Sequence, residues 1–227
     1  MSRKRITDSL RNEWARALAM VRRSPYRLDP RVYLRLIDAE ALHALQQRYE
    51  RTGGKALKYL DVAYWMKVNA RRLADIPVGR SPPCLRLLDI GCGAGYFLFI
   101  ARALGHDAVG LDVPDTPFYE EMIALLDVPR VMHRVKAFEA LPDELRGYDV
   151  VSAHMTCFNR LPDRSHWRGE EWAFFVDDAK SRLNPGGTIQ LHLNKLEDGR
   201  AMTPEVEIFF RKNGFVIDRA RAVFRDR

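Results

Sequence analysis

The sequence has few cysteines, no long apolar run and no signal-peptide pattern. Its three cysteines, Cys84, Cys92 and Cys157, are odd in number and lack C-x-x-C spacing, which argues against a disulfide framework and a zinc site. The six histidines are scattered, none at ligand spacing from carboxylates, so we predict no metal. No run approaches the roughly 18 apolar residues that a membrane span needs, and no apolar stretch follows the basic N-terminus. We therefore expect a cytoplasmic protein without a membrane span.

Acidic residues are scarce in the first part of the chain. Residues 1–86 carry 19 lysines and arginines against 8 aspartates and glutamates, a balance of +11, whereas residues 87–227 carry 18 against 22, a balance of −4. A cationic segment can attract nucleic acid, an anionic membrane surface or an acidic substrate. The alternative is a solvated, arginine-rich helical face, which we favour because no nucleic-acid-binding motif accompanies the charge.

The N-terminal part of the chain has the periodicity of amphipathic helices, with apolar residues every three or four positions. The helices predicted in this way are residues 8–23, 30–51 and 55–75. A stretch rich in proline and glycine follows at 76–84. It divides the chain into a basic helical segment, residues 1–80, and a second domain, residues 81–227.

Strand and helix patterns alternate beyond residue 84. This alternation predicts an α/β fold with a doubly wound, mostly parallel sheet flanked by helices, to which the N-terminal helical extension is attached. The predicted strands are residues 85–90, 108–112, 131–135, 148–153 and 188–193. The predicted helices are residues 96–104, 117–126 and 170–183.

An apolar strand leads directly into three glycines at alternate positions, Leu-Leu-Asp-Ile-Gly-Cys-Gly-Ala-Gly at residues 87–95. Glycine lets a backbone turn tightly and approach a ligand closely, and the helix that follows begins with unpaired amides. Asp112 ends the next apolar stretch, where a carboxylate can accept hydrogen bonds from ribose hydroxyls. The pattern predicts a nucleoside-binding turn. A dinucleotide site is disfavoured, because Tyr96 stands where G-x-G-x-x-G needs its last glycine.

The G-x-G-x-G run with Asp89 before it resembles the first motif of the class I, Rossmann-like S-adenosylmethionine-dependent methyltransferases. The Pro-Gly-Gly turn at 185–187 and the stretch 209–215 are similar to later parts of the same class, so the resemblance covers most of the second domain. It implies that Asp89 organises the loop and faces the aminoacyl end of the cofactor, S-adenosylmethionine, and that Asp112 holds its ribose. The cofactor-binding residues predicted here are Asp89, Gly91, Cys92, Gly93, Gly95, Asp112, Val113, Phe138 and Ala153.

The chain departs from this class in two places. Many members carry an acid for the adenine amino group after the third strand, where this chain has Ala137, so we expect backbone groups and the Phe138 ring to contact the base. The chain also ends soon after Phe215. The usual antiparallel pair of terminal strands is therefore expected to be abbreviated or partly missing.

His154 follows the fourth predicted strand and is the candidate catalytic residue. An imidazole with a pKa near neutrality can take a proton from a hydroxyl or amine as it attacks, so His154 is our candidate general base. Against this, a histidine at a strand end is often only a hydrogen-bonded structural residue. His192 and Asn194, at the end of the fifth predicted strand, could line the acceptor pocket or only satisfy the strand end.

The predicted function is transfer of a methyl group from S-adenosylmethionine to oxygen or nitrogen of a small or medium-sized organic acceptor. One alternative is an RNA or other macromolecular acceptor, docked by the basic N-terminal segment. Another is a protein that binds S-adenosylmethionine without catalysis.

The third predicted N-terminal helix carries Tyr59, Tyr64 and Trp65. It is either a lid over the cofactor or a surface that packs on the second domain, and we favour packing.

Overall fold

The computed structural model describes residues 29–54, 57–76, 84–114, 116–160 and 165–226. The predicted helix at 8–23 and most of the proline-rich boundary at 76–84 lie outside these residues. The division of the chain at residue 80 therefore stays a prediction. The seven strands are β1 (Arg86–Ile90), β2 (Asp107–Asp112), β3 (Arg130–Met132), β4 (Tyr148–His154), β5 (Leu183–His192), β6 (Val216–Asp218) and β7 (Arg221–Arg225).

The strands form one sheet in the order β3-β2-β1-β4-β5-β7-β6. The first five are parallel, whereas β7 runs antiparallel to both β5 and β6. Because β1 lies between β2 and β4, the chain builds the sheet outward in one direction and then in the other, as a doubly wound fold requires. The predicted fold class is confirmed.

The described helices are α1 (Pro30–Leu34), α2 (Ala39–Thr52), α3 (Val62–Ala74), α4 (Tyr96–Ala103), α5 (Pro117–Leu125), α6 (Gly169–Ser181) and α7 (Pro204–Lys212). The single helix predicted over 30–51 is wrong, because the chain breaks between α1 and α2. Asp38 makes the break: its carboxylate accepts hydrogen bonds from the amides of Glu40 and Ala41 and starts a new helix. Asp61 caps α3 in the same way through the amide of Tyr64, so this helix begins later than predicted.

The described residues fall into two compact units. The helical unit contains α1 to α5, from the described residues before 84 together with 93–106 and 114–128. The sheet unit contains all seven strands with α6 and α7, from 84–92, 107–113 and 129–226. The turn predicted to bind the cofactor therefore begins in the sheet unit and, after Cys92, continues in the helical unit.

Helices α6 and α7 supply aromatic side chains to the core of the sheet unit. Trp172 and Phe210 are fully buried with their ring centroids 5.1 Å apart, and they belong to one cluster with Leu88, Val151 and Ile189 of the strands. These strand residues alternate along the chain with Asp89, Ser152 and Gln190, which point to the opposite face of the sheet. One face is thus apolar, and the other carries polar side chains.

The end of the chain forms both terminal strands. Their abbreviation is confirmed, since β6 has three residues and β7 has five. The alternative that the pair is partly missing is wrong, because β7 pairs with β5 along five consecutive residues and follows the parallel strands in the sheet.

Among the described helices, none has the length and apolar character that a membrane span needs.

Candidate functional site

Asp89 stands near the carboxyl end of β1 and is buried on the polar face of the sheet. Its Oδ1 accepts a hydrogen bond of 2.7 Å from the Ser152 hydroxyl of β4. Ser152 is paired in register with Asp89 on one side and with Gln190 of β5 on the other, and all three side chains are buried. A buried carboxylate is stable only with such donors, so Ser152 fixes the carboxylate at the start of the turn.

Gly91 opens the glycine turn and has a left-handed backbone, with φ +73°. Its amide donates to the carbonyl of Leu111 at 2.6 Å, and the amide of Cys92 donates to the same oxygen at 3.3 Å. A Cβ built on Gly91 would overlap the Cγ2 methyl of Thr156. Both the backbone angle and this close approach therefore require glycine at position 91.

Gly93 and Gly95 continue the turn within the helical unit, with φ +55° and +77°. A Cβ on Gly95 would lie 2.7 Å from Ile123 and 2.9 Å from Val128, so this glycine allows the turn to pack on α5. A Cβ on Gly93 would meet only the Tyr119 ring, at 3.7 Å. Gly95 is also the N-cap of α4 and has no side-chain cap, which leaves that helix end suited to a polar ligand.

The environment of Cys92 shows which charges surround the turn. Burial is the largest effect and raises the pKa of the Cys92 thiol well above its usual range, and the carboxylates of Asp89 and Asp112 raise it further. The guanidinium of Arg130 acts in the opposite direction. Two carboxylates and one guanidinium thus change the pKa of this thiol. Nothing in the sequence pattern indicates Arg130, because β3 comes beside the turn only through its pairing with β2.

Asp112 ends β2, where the sequence placed the ribose-binding carboxylate. It is half-buried, and its Oδ1 accepts a hydrogen bond of 2.8 Å from the amide of Val113. The backbone carbonyl of Asp112 accepts from the amide of His133 at 3.0 Å. These bonds fix the orientation of the strand end and of the carboxylate.

Phe138 follows β3 and is the most exposed of the predicted site residues in the sheet unit. Its side chain is 57% exposed, and its backbone is left-handed, with φ +57°. Phe174 of α6 holds the ring by an edge contact with centroids 6.1 Å apart. A supported ring that keeps its exposure can still stack on a planar ligand. Ala137 beside it is partly buried against the core.

Ala153 and His154 form the end of β4. Ala153 is buried among the apolar residues of the sheet. His154 comes two positions after Ser152 and therefore lies with it on the polar face. His154 is 7% exposed and is paired in register with His192 of β5. The two imidazoles therefore end neighbouring strands at the same edge of the sheet as Asp89.

Asn194 holds the loop that follows β4. Its Nδ2 donates to the carbonyls of Met155 at 2.8 Å and Thr156 at 3.0 Å, and lies 3.4 Å from the Cys157 sulfur. The loop needs support because Met155 has φ +56°, an unfavourable angle for a residue with a side chain. For Asn194 we consider a role in the acceptor pocket and a structural role, and these hydrogen bonds support the structural role.

No metal-binding cluster accompanies this arrangement. Within the ranges that the structure describes, no group of three or more histidine, cysteine, aspartate or glutamate residues could hold a metal ion. The polar groups that the described residues place near these strand ends are backbone amides, the carboxylates of Asp89 and Asp112, and the imidazole of His154.

Known proteins resemble this chain in sequence and in fold. No family model matches it. A tRNA U34 carboxymethyltransferase of Azotobacter vinelandii is 28% identical over 154 residues, which cover 58% of this chain and 45% of the relative. The protein of the same name from Ectopseudomonas mendocina is 34% identical over 112 residues, 47% of this chain and 31% of the relative. The chain thus spans less than half the length of the curated relatives it matches.

A solved structure from Nostoc punctiforme, described as a candidate O-methyltransferase, has the same fold. Its TM-score is 0.50 at 17% identity, over 73% of this chain and 56% of that one. The sequence relatives confirm the predicted resemblance to the class I S-adenosylmethionine-dependent methyltransferases, and the fold of this solved structure agrees with it. Within that class, the curated relatives named above are all tRNA U34 carboxymethyltransferases.

Proposed function

We propose that this protein is an S-adenosylmethionine-dependent transferase that modifies RNA, with tRNA as the first acceptor to test. The sequence similarity to two tRNA U34 carboxymethyltransferases carries this proposal. It favours the RNA alternative of the sequence analysis over the small organic acceptor that we predicted first. A tRNA-modifying role also fits the cytoplasmic location expected from the sequence.

The glycine turn fits the proposed cofactor. The backbone is left-handed at Gly91, Gly93 and Gly95. The missing Cβ atoms of Gly91 and Gly95 face neighbouring side chains and allow close packing, whereas only a tyrosine ring stands at van der Waals distance from the missing Cβ of Gly93. Asp89 is fixed by Ser152 at one end of the turn. Asp112 ends the neighbouring strand, where a carboxylate can accept from ribose hydroxyls.

The remaining predicted residues complete the cofactor site in this proposal. Cys92 and Val113 contribute backbone groups beside the two carboxylates, Phe138 offers an exposed ring to the adenine, and Ala153 provides a small side chain at the end of β4. When bound, S-adenosylmethionine supplies a methyl group already activated by a sulfonium. The chain's own task is to align the acceptor and remove its proton.

His154 is the proposed proton acceptor. It lies at the carboxyl end of β4, on the face that carries Asp89 and Ser152, and in parallel sheets ligands bind beyond these strand ends. Asn194 fixes the loop directly after it. An imidazole held at this edge can accept a proton from an attacking hydroxyl or amine.

The proposal is tested by incubating the purified protein with S-adenosylmethionine labelled in the methyl group. Parallel reactions contain unmodified tRNA, a metabolite extract or no acceptor, and nuclease digestion and mass spectrometry then identify the product. The proposal predicts label in a tRNA nucleoside. Label only in a metabolite would establish the small-acceptor alternative. Cofactor binding with no product from S-adenosylmethionine or from a carboxymethyl sulfonium donor would establish the non-catalytic one.

A second set of reactions, in which a donor with a carboxymethyl sulfonium replaces S-adenosylmethionine, identifies the transferred group, since the relatives are named for carboxymethyl rather than methyl transfer. A methyl and a carboxymethyl product differ in mass, and only the methyl product forms from S-adenosylmethionine alone. A product that requires a donor with a carboxymethyl sulfonium would correct the proposed cofactor while keeping the proposed acceptor.

A further inference from the structure

Helix α3 presents an exposed face on which an aromatic ring and two cations are aligned. Tyr64, Lys67 and Arg71 are spaced by three and four residues, which places them on one side of a helix, and all three are exposed. The Tyr64 side chain is 55% exposed. Between its capping residues, Asp61 and Asp75, the helix has no acidic residue.

Helix stability explains this face only in part. Arg71 in the last turn complements the helix dipole. Lys67, however, precedes Arg71 by four residues, and two like charges at this spacing weaken a helix. Among the residues that the structure describes, no carboxylate forms an ion pair with Lys67 or Arg71. Both side chains are exposed, so their charges can contact an external anion.

A row of aromatic rings links this face to the glycine turn within the helical unit. The centroids of Tyr64 and Trp65 are 5.3 Å apart, those of Trp65 and Tyr59 are 5.0 Å apart, and those of Tyr59 and Tyr119 are 5.3 Å apart. Tyr119 in turn lies at van der Waals distance from the position of a Cβ on Gly93. A ligand on α3 would thus lie a few ring widths from the turn.

We propose that Tyr64, Lys67 and Arg71 of α3 form a contact surface for single-stranded RNA, with one base stacked on Tyr64 and the phosphate backbone following Lys67 and Arg71. This inference rests on the proposed function and identifies where the RNA acceptor is held. Lys67 and Arg71 lie one turn apart, on the order of 6 Å along the axis, so one strand can contact both. Aromatic stacking combined with a cationic track is how proteins bind single strands without reading their sequence.

Binding of an unmodified tRNA and of a short oligouridine, measured by fluorescence anisotropy, tests the proposal on the full chain. Tyr64→Ala should weaken binding by about 5- to 150-fold, the loss expected for one stacked base, whereas Tyr64→Phe should keep most of the affinity. The double variant Lys67→Ala/Arg71→Ala should weaken binding and make the slope of log affinity against log salt shallower by about 1 to 2. The matched control is Arg211→Ala/Lys212→Ala, which removes two cations from the last turn of α7.

Two outcomes would overturn the proposal. One is equal binding and equal salt dependence of the α3 and α7 double variants, and the other is equal affinity of Tyr64→Ala and Tyr64→Phe. Protection of Lys67, but not Lys212, from acetylation when RNA is added to the unmutated protein checks the same contact without any variant. If the unmutated protein transfers label to tRNA while the α3 variants bind tRNA normally, the surface is wrong and the proposed function stands. If it neither binds nor modifies RNA, both are wrong.

Discussion

The Cγ2 methyl of Thr156 lies directly against Gly91, so that the loop after β4 contacts the glycine turn after β1. The contact joins the loop that follows His154, the proposed proton acceptor, to the turn to which we assign cofactor binding. The methyl group occupies the space of the side chain that glycine lacks, and Asn194 donates a hydrogen bond to the carbonyl of the same Thr156.

Gly91→Ala should therefore destabilise the protein and weaken cofactor binding, because the new methyl group overlaps Thr156 and the backbone stays left-handed. The left-handed angle alone costs about 1 to 2 kcal/mol, and Gly199→Ala measures that cost, since Gly199 has φ +81° and open space around it. Urea unfolding should show a larger loss for Gly91→Ala than for Gly199→Ala. Thr156→Ser should restore part of the difference, and additive effects of the two changes would contradict the contact.

Asp112→Ala should weaken binding of S-adenosylmethionine. Removal of hydrogen bonds to a charged group costs about 1 to 3 kcal/mol, which corresponds to roughly a 5- to 150-fold higher Kd. Asp107→Ala is the control, because Asp107 lies at the opposite end of the same strand and pairs with exposed Arg86. An unchanged Kd in Asp112→Ala would remove this residue from the site.

His154→Ala should lower kcat by about 100-fold or more while the cofactor Kd changes little, because loss of a general base affects the reaction and not the binding of cofactor. His43→Ala, at an exposed position on α2, is the control for loss of an imidazole elsewhere. A structural role would give a different result, with parallel losses of cofactor affinity, turnover and melting temperature in His154→Ala.

Asn194→Ala should destabilise the protein more than Asn213→Ala. Asn194 donates to two backbone carbonyls in the loop that holds left-handed Met155, whereas Asn213 donates to one carbonyl at the end of α7. Each lost bond is worth about 0.5 to 1.5 kcal/mol. Urea midpoints of the two variants measure the difference, and equal midpoints would mean that Asn194 does not support the loop.

Cys92 should resist alkylation when Cys84 and Cys157 react. The latter two thiols are exposed, whereas burial and two neighbouring carboxylates raise the pKa of Cys92 and keep it in the unreactive thiol form. Iodoacetamide at about pH 8, followed by peptide mass spectrometry, should find Cys92 unmodified in the native protein and modified after unfolding. Rapid alkylation of native Cys92 would show that the turn is open around this residue.

Much of the fold and part of the site follow from local sequence patterns. The alternation of strands and helices predicts the parallel sheet. The apolar strand before Gly91 and the acid at position 112 predict that two strands end beside the glycine turn. The break between α1 and α2 was missed because apolar periodicity continues across Asp38, while the cap that interrupts it is a single hydrogen-bonding side chain. Strand β3 is shorter than predicted because β2, its partner, ends at Asp112, opposite Met132.

The contacts that refine the site depend on residues far apart in the chain. Thr156 reaches Gly91 and Asn194 reaches Met155 only because β1, β4 and β5 are neighbours in the sheet. Arg130 lowers the pKa of Cys92, and it comes near this thiol through the pairing of β3 with β2. Spacing along the sequence carries no signal for these contacts, since it does not give strand order.

Titration calorimetry with S-adenosylmethionine and S-adenosylhomocysteine tests the central claim, that the turn at residues 89–95 and Asp112 bind this cofactor. We predict saturable binding of both ligands at one site per chain, with weaker binding in Asp112→Ala and unchanged binding in Asp107→Ala. Absence of heat with both ligands, together with saturable binding of a nicotinamide dinucleotide, would contradict the account.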